Sequence, residues 1–395
     1  MTNRLQQKSK TGCLGKKLIY HEFWKSVKMI QKLNNFLHLP IIKGIFWYVW
    51  WTIILMCSPL ALLLLFILFI YDVLAGIFEI RSIGHGWFNH RFLEPKPDKP
   101  ILITGCGNGI GKASAIALAR RGWKVYAGCR SPKSIQELES LYIPTLIPVQ
   151  LNVNNRAEVS VVMETIKQYN EHGLFCLINN AGIIHHGPID WVSLDSFRQV
   201  METNYFSVVA LTKVCLPLLK MHSRKTGNAR IVQIGSASGL AWGVQFFAGY
   251  AASKHAVEAF SSSLRGELKP FNIHVSTLNP MIHKTGMTNV EAATDSIHNL
   301  FESLSPRKQE EYGKDYLDYF VKNHTEYMEK NSWDVNNVIR EVVHAATAKT
   351  PCIQYLQGLE LLTLGGILNM IPRPINEYLM SVNGRYFQGQ EKIQK

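Results

Sequence analysis

The sequence predicts an α/β protein built on a doubly wound, mostly parallel sheet, tethered by an N-terminal transmembrane helix. Three observations predict it. Strand and helix signals alternate from Lys99 onward. A glycine-rich turn joins the first strand of that alternation to its first helix. Well upstream, Gly44 to Tyr71 runs for 28 residues without a charge.

The uncharged run comes first in the chain. A spanning helix needs about 20 apolar residues, so this one is long enough. Trp47, Tyr48, Trp50 and Trp51 cluster at its start and Tyr71 closes it, as suits rings at the headgroup level. Pro59 either kinks the span or marks a re-entrant hairpin, because Gly44 to Ile80 is short for two full spans. A cleaved leader does not fit: the preceding region is too long.

That region is basic. Residues 1–43 carry Arg4, Lys8, Lys10, Lys16, Lys17, Lys25, Lys28, Lys32 and Lys43 against Glu22 alone, which is +8 of the chain's net +13. A local excess beside an apolar run reads as a segment facing anionic lipid. It is accompanied by no nucleic-acid-binding motif, so a membrane is the expected partner. Basic flanks stay cytoplasmic, which places the α/β domain on the lumenal side, with the endoplasmic reticulum as the expected membrane. The acceptor tripeptide Asn323-His324-Thr325 agrees with that side.

The linker 72–98 ends in a proline-rich stretch, Arg91 to Pro100. Beyond it, strands are expected at 100–104, 124–129, 145–151, 174–179, 229–235 and 272–278. Helices are expected at 109–121, 132–141, 155–171, 195–222 and 246–268. Such βα alternation implies a parallel sheet covered on both faces. Residues from Met281 to about Asn336 read as irregular, then charged and helical. The apolar tail Leu361 to Ile371 is too short to span. It is left to core packing, a homodimer interface or lipid. Residues 386–395 form a polar tail.

Seven cysteines at 13, 57, 106, 129, 176, 215 and 352 show neither disulfide nor zinc spacing. His185 and His186 are adjacent, so on an extended segment they point to opposite faces and cannot jointly hold a metal. No metal is expected, and the pair is assigned to the surface or a pocket rim.

Four elements carry the chemistry. Thr104-Gly-Cys-Gly-Asn-Gly-Ile-Gly111 lies between an apolar run and a helix. There Gly105, Asn108, Gly109, Ile110 and Gly111 can bring backbone N–H groups close to a pyrophosphate. Asn179-Asn180-Ala181-Gly182 and Ser236-Ala-Ser238-Gly239 each close an apolar strand, where an open α/β sheet binds its ligand. Asn204 sits on the long helix between them. Tyr250-Ala-Ala-Ser-Lys254 puts a phenol and an ammonium on one helical face. A cation beside the phenol is expected to favour phenolate and fit it for proton transfer.

In this order, the motifs resemble those of the short-chain dehydrogenases/reductases, over roughly Lys99 to Ser381. The chain is most similar to the membrane-associated retinol, 17β-hydroxysteroid and 3-hydroxybutyrate dehydrogenase branch. Val125 to Cys129, Tyr312 to Tyr316 and His344 to Ala348 add to that likeness. The resemblance implies a Rossmann-type sheet and one catalytic domain over residues 99–385. It implies Tyr250 as general acid/base and Lys254 as the residue that lowers its pKa and holds the nicotinamide ribose. It also implies Ser236 on the substrate oxygen and Asn204 holding a water in a proton relay. Ser236 lies 14 residues before Tyr250, longer than the family's usual spacing, and Ser238 lies 12 before. Ser236 is preferred on the S-x-x-G match.

The resemblance also places Asn152 at the adenine, Asn180, Ala181 and Gly182 along the cofactor, Pro280 over the nicotinamide and Thr285 at its carboxamide. Cys129 and Arg130 end the second strand without an acid, and Gly107 stands where this branch often has aspartate. A guanidinium can meet a 2′-phosphate bidentately. NADP(H) is therefore favoured over NAD(H).

The expected function is hydride transfer between the nicotinamide and a small lipophilic alcohol or ketone, such as a steroid or retinoid. Two alternatives stay open. One is a 3-hydroxybutyrate-type hydroxy acid, with His283 or Lys284 as its cationic partner. The other is a non-catalytic binding or scaffold protein on the same fold.

Overall fold

The computed structural model describes residues 92–240 and 246–356, with two isolated helical positions, Pro59 and Leu63. The chain divides into two units, Met1–Leu74 and Ala75–Lys395. Apart from Pro59 and Leu63, the expected anchor lies outside the described residues, as does the apolar tail. All that follows concerns the second unit.

Seven strands form one sheet: β1 (Ile101–Ile103), β2 (Val125–Cys129), β3 (Leu146–Gln150), β4 (Cys176–Asn179), β5 (Ala229–Ile234), β6 (Ile273–Asn279) and β7 (Gln354–Leu356). Their order is β3-β2-β1-β4-β5-β6-β7, and every pairing is parallel. The six expected strands are present; β7 is additional. The order reverses between β1 and β4, which opens a crevice at their carboxyl ends.

The sheet is buried on both faces, so its strands read as near-continuous apolar runs. Successive residues nevertheless serve different layers. Ile101, Ile103, Val125, Ala127 and Ile178 face one core with α1 (Gly109–Ala119) and Val338, Val342 and Ala346. Leu102, Tyr126, Leu177 and Ile231 face the other, against α3 (Arg156–Tyr169). Between these helices in the chain lies the short α2 (Pro132–Glu139).

The long helix expected at 195–222 is interrupted. It comprises α4 (Leu194–Met201), a π turn at Glu202–Phe206, and α5 (Ser207–Thr226), which ends on a left-handed Gly227. Among the described residues, 194–226 is the stretch long and apolar enough to cross a membrane by composition. Its Leu211, Cys215, Leu218 and Leu219 pack on the sheet, as in an apolar core helix. Next comes α6 (Ala248–Leu268), whose buried Ala251, Lys254, Val257, Ser261, Leu264 and Leu268 form a helical stripe.

After β6 the chain builds a cover from α7 (Val290–Glu302) and α8 (Pro306–Asn331), then returns through α9 (Val335–Thr347). Gly313, at φ 72°, breaks α8 into two segments. Trp191 anchors the cover: Phe301, Tyr312, Tyr316 and Phe320 surround its ring at 5.2–5.9 Å. Asn323 lies inside α8, where its amide donates to the Tyr319 carbonyl at 2.7 Å.

One charge is buried in the sheet. Arg230 of β5 is 1% exposed. It donates to the carbonyls of Ala345, at 3.0 Å, and Ala348, and lies over the Phe175 ring. It thereby satisfies carbonyls at the C-terminus of α9.

Four imidazoles are also buried among the described residues, one of them His283 at the cavity. His186 and His324 meet edge-to-face at 4.7 Å under the cover, and His222 lies beneath Phe175. Of the two placements the sequence left open, surface or pocket rim, His186 takes the one at the cavity, where Phe247 and α8 close over it. Burial, aided by the neighbouring His324, pushes the His186 imidazole down to about 3. Burial holds His324 and His222 near about 4.

Unfolded histidines titrate near 6.5. Between that value and the lowered folded values, the unfolded chain binds more protons. Stability therefore rises with pH across this window and is lost on acidification below about 6.5. Denaturant titrations of the detergent-solubilised protein from pH 7.5 to pH 5 (roughly the upper part of this window) are expected to show a falling midpoint. The double variant His186→Phe, His324→Phe should show a shallower fall. A midpoint independent of pH contradicts this account.

Candidate active site

The site is assembled at the carboxyl ends of β1, β4, β5 and β6. The glycine turn after β1 is locked to the end of β4. The Thr104 hydroxyl accepts from Asn180 N at 3.0 Å and Ala181 N at 2.9 Å. The Asn180 amide donates to the Thr104 carbonyl at 2.8 Å and the Gly105 carbonyl at 3.1 Å. Asn180 therefore spends its side chain on shaping the turn. Gly111 permits the approach: a Cβ there would lie 2.3 Å from Asn180 Nδ2 and 2.4 Å from the Gly105 oxygen.

The second assembly joins β5 to α6. Ser236 caps a 3-10 turn, Ala237–Gly239, by accepting from Ser238 N at 3.1 Å. A Cβ on Gly239 would sit 2.9 Å from the Lys254 backbone, so glycine lets this turn press against α6. The contact brings the Ser236 hydroxyl to the Tyr250 phenol. Ser238 contributes its backbone N–H to the turn.

Tyr250 and Lys254 share one face of α6. Lys254 is 5% exposed, and its Nζ donates to the Ile234 carbonyl at 2.8 Å and lies 5.6 Å from the Tyr250 ring centroid. Burial lowers its ammonium to about 8, opposed by Glu258. The Tyr250 phenol is raised by burial, with the Ser236 hydroxyl opposing. The expected lowering by Lys254 is not what this geometry produces. The ammonium sits over the ring and is bonded to a carbonyl, so desolvation of the phenol dominates.

Asn204 lies in the π turn, 1% exposed. Its amide accepts from Ile183 N at 2.8 Å and donates to the Ile183 carbonyl at 2.9 Å and Ser253 Oγ at 3.0 Å. Ser253 in turn donates to the Tyr250 carbonyl at 2.7 Å. Asn204 thus fastens the segment after β4 to α6. π turns often mark functional sites.

These pieces surround a cavity of about 780 Å³. Gly105, Asn108, Gly109 and Ile110 line one part of it, with Ala181 and Gly182 nearby. Arg130, exposed at the end of β2, lines the same cavity with Ser131 and Ser134. Asn152 lines it too, and its side chain accepts from Asn154 N at 3.1 Å. The Pro280 carbonyl accepts from Ala237 N at 3.0 Å. Thr285 packs against Gly109 and forms a capping box with Thr288. Of the sequence-predicted site residues, Gly111 and Asn204 stand behind the wall and the others line it. Gly107 also lines it, and a Cβ there would lie 3.1 Å from Ser134 Oγ.

The shape fits a dinucleotide. It has a glycine cradle at a helix N-terminus at one part and a phenol and ammonium at another. Among the described residues, no cluster of ligating side chains could hold a metal.

Sequence reasoning missed several residues of this wall. Phe247, Tyr327 and Met328 line it, and Ser253 supports Asn204. The aromatics around Trp191 come from segments more than 100 residues apart in the chain, so no local pattern signals them.

Comparison with known proteins agrees with the fold. The short chain dehydrogenase family model matches residues 99–296. The chain is 34% identical over 266 residues to D-beta-hydroxybutyrate dehydrogenase, mitochondrial, of Rattus norvegicus, covering 65% of this chain and 76% of that protein. It is 29% identical over 313 residues to 17-beta-hydroxysteroid dehydrogenase type 6 of Bos taurus, covering 78% and 95%. A short-chain dehydrogenase structure from Streptomyces avermitilis superposes with a TM-score of 0.55 at 22% identity, covering 73% of this chain and 98% of that one. A crevice at the strand-order reversal, a locked glycine turn and a tyrosine–lysine face backed by a serine turn thus coincide with a family match across the same residues: the chain belongs to the short-chain dehydrogenase/reductase family of oxidoreductases.

Proposed function

We propose that the protein is a membrane-anchored, NADP(H)-preferring dehydrogenase/reductase of a lipophilic alcohol or ketone of steroid or retinoid type. The observation that carries the substrate reading is the charge of the cavity wall. Among the residues lining it, Arg130 and Lys254 are the lysines and arginines, and both have roles at the cofactor. His283, one expected partner for a carboxylate, is 2% exposed and its imidazole is lowered by burial. Lys284, the other, is exposed and lines a separate shallow pocket. A hydroxy acid would enter this wall without a cation of its own. A neutral, apolar molecule fits it better. The bovine relative named for 17-beta-hydroxysteroids supports this reading. The rat relative named for D-beta-hydroxybutyrate keeps the acid as a comparison substrate.

The cofactor's adenosine end would lie along Arg130 and Asn152, its pyrophosphate on the glycine turn, and its nicotinamide between Gly182, Thr285 and Lys254. A nicotinamide bound there supplies or takes the hydride. The rest is the chain's own work. Ser236 hydrogen-bonds the substrate oxygen. Tyr250, a phenol whose pKa burial raises further, donates its proton to that oxygen in reduction. In the reverse direction it must first lose that proton, so alcohol oxidation gains as pH rises. Lys254 holds the ribose and replenishes the proton. Asn204, its side chain engaged by Ile183 and Ser253, offers its main-chain carbonyl to the relay water.

Gly44 to Tyr71 holds the enzyme at the bilayer into which its substrate partitions. The basic flank supports a lumenal domain, with the endoplasmic reticulum as the membrane. The Asn323 tripeptide, inside a helix, does not bear on this.

Three outcomes are expected. Tyr250→Phe should lose turnover by about 10²–10⁴-fold with nearly unchanged cofactor affinity. Lys254→Met should lose turnover and cofactor affinity together. Near-normal activity in Tyr250→Phe assigns the proton transfer elsewhere. NADP(H) should bind more tightly than NAD(H), and Arg130→Leu should cost about tenfold in NADP(H) affinity alone, as loss of a charge-assisted contact implies. Titration of both cofactors decides this, and equal affinities for the unmutated protein remove the argument. Alkaline carbonate should leave the full-length chain in the membrane pellet, with the domain protected from protease in sealed microsomes. Release to the supernatant, or cleavage without detergent, refutes anchor and orientation respectively.

A further inference from the structure

Part of the cavity wall has no use in the mechanism above. The segment after β4 brings His186 to it, and α6 brings Phe247. His186 is 6% exposed, with its ring held edge-on by Phe247 at 5.0 Å and His324 at 4.7 Å. His186 Nδ1 and His324 Nε2 are buried and have no hydrogen-bond partner among the described residues. Gln199, bonded to His185 at 3.3 Å, lines the same wall.

Buried polar atoms without partners are rare in native proteins. Of the two residues, His186 lines the cavity, and a turn of its ring about χ2 would carry the unpartnered nitrogen toward a ligand there. The histidines have not been forced there by packing alone, since Leu or Phe would fill the same volume without the desolvation cost. A neutral imidazole offers one N–H and one lone pair, so it can serve a hydroxyl or a keto oxygen. Burial keeps His186 neutral, so it offers no charge to a carboxylate.

We propose that His186, steadied by Phe247 and His324, is a specificity residue that hydrogen-bonds a second, uncharged oxygen of the substrate, remote from the carbon that exchanges hydride. The inference rests on the lipophilic alcohol or ketone reading given above. The substrate class narrows accordingly, to bifunctional lipophiles such as hydroxyketones and diols on a rigid or long-chain skeleton.

The test uses the full-length, detergent-solubilised protein with NADPH and two pairs of ketones. One pair is steroidal and one is long-chain aliphatic. Within each pair the members differ only in a remote hydroxyl. The unmutated protein should favour the hydroxylated member of at least one pair by about tenfold in kcat/KM. His186→Leu should erase that preference while leaving the deoxy member within about twofold and NADPH affinity unchanged. His186→Asn, which keeps a donor and an acceptor, should recover part of it. If His186→Leu does not fold, His186→Phe with an intact melt makes the same comparison. A preference that survives in His186→Leu overturns the proposal. So does an equal loss on both members, which is the mark of a packing role, and so does an unmutated protein that reduces both members equally well. An unmutated protein that reduces neither member of either pair signals instead that the lipophilic-substrate reading itself is wrong, and the proposal falls with it.

Discussion

The site depends on one reciprocal contact, between Thr104 at the end of β1 and Asn180 at the end of β4. These strands flank the point where the sheet order reverses. Their connections diverge beyond the last ladder bond, from Thr104 N to the Ile178 carbonyl at 3.1 Å. The Thr104 hydroxyl and the Asn180 amide hold the two loops together, with four hydrogen bonds between them. The turn's backbone groups thereby face the crevice at fixed positions, and a preorganised turn loses less freedom on meeting a ligand. The absence of a side chain at Gly111 is part of the same constraint, because the amide and the Gly105 carbonyl occupy the space a Cβ would need.

The chemistry on the far side of the crevice is set by desolvation. α6 buries Lys254 against β5, so its ammonium is bonded to the Ile234 carbonyl and held near about 8. The phenol four residues earlier is raised for the same reason. A buried phenol kept neutral is a ready proton donor, and a buried ammonium with a lowered pKa can release a proton at modest cost. The pair is thus tuned by being dry as much as by mutual attraction. The simple picture of a lysine lowering a tyrosine leaves that out.

Much of this was legible in the sequence. Apolar runs alternating with helical stretches gave six strands at their observed places, and the motifs at their ends gave the glycine turn and the tyrosine–lysine face of the cavity. Both signals are local: each motif is read within one turn or one strand end. The rest was carried by contacts with no local signature. β7 has three residues and takes its identity only from pairing with β6. The π turn at 202–206 has an ordinary helical composition. For His186 the sequence left surface and pocket rim open, because the helix that decides between them, α8, lies more than 100 residues later in the chain. The Tyr250 shift was misjudged because spacing reveals a neighbour but not the dielectric around it.

Arg230 has a consequence for how the chain is made. Its carbonyl partners lie 115 and 118 residues downstream. During synthesis β5 emerges well before α9 exists, and β4 and β5 can pair while the guanidinium is still in water. The sheet cannot shut around that charge until the C-terminal helix arrives to receive it. A ribosome-bound fragment ending before Ala345 lacks these acceptors, so docking of α9 both buries its apolar face on the sheet and gives the guanidinium its carbonyls.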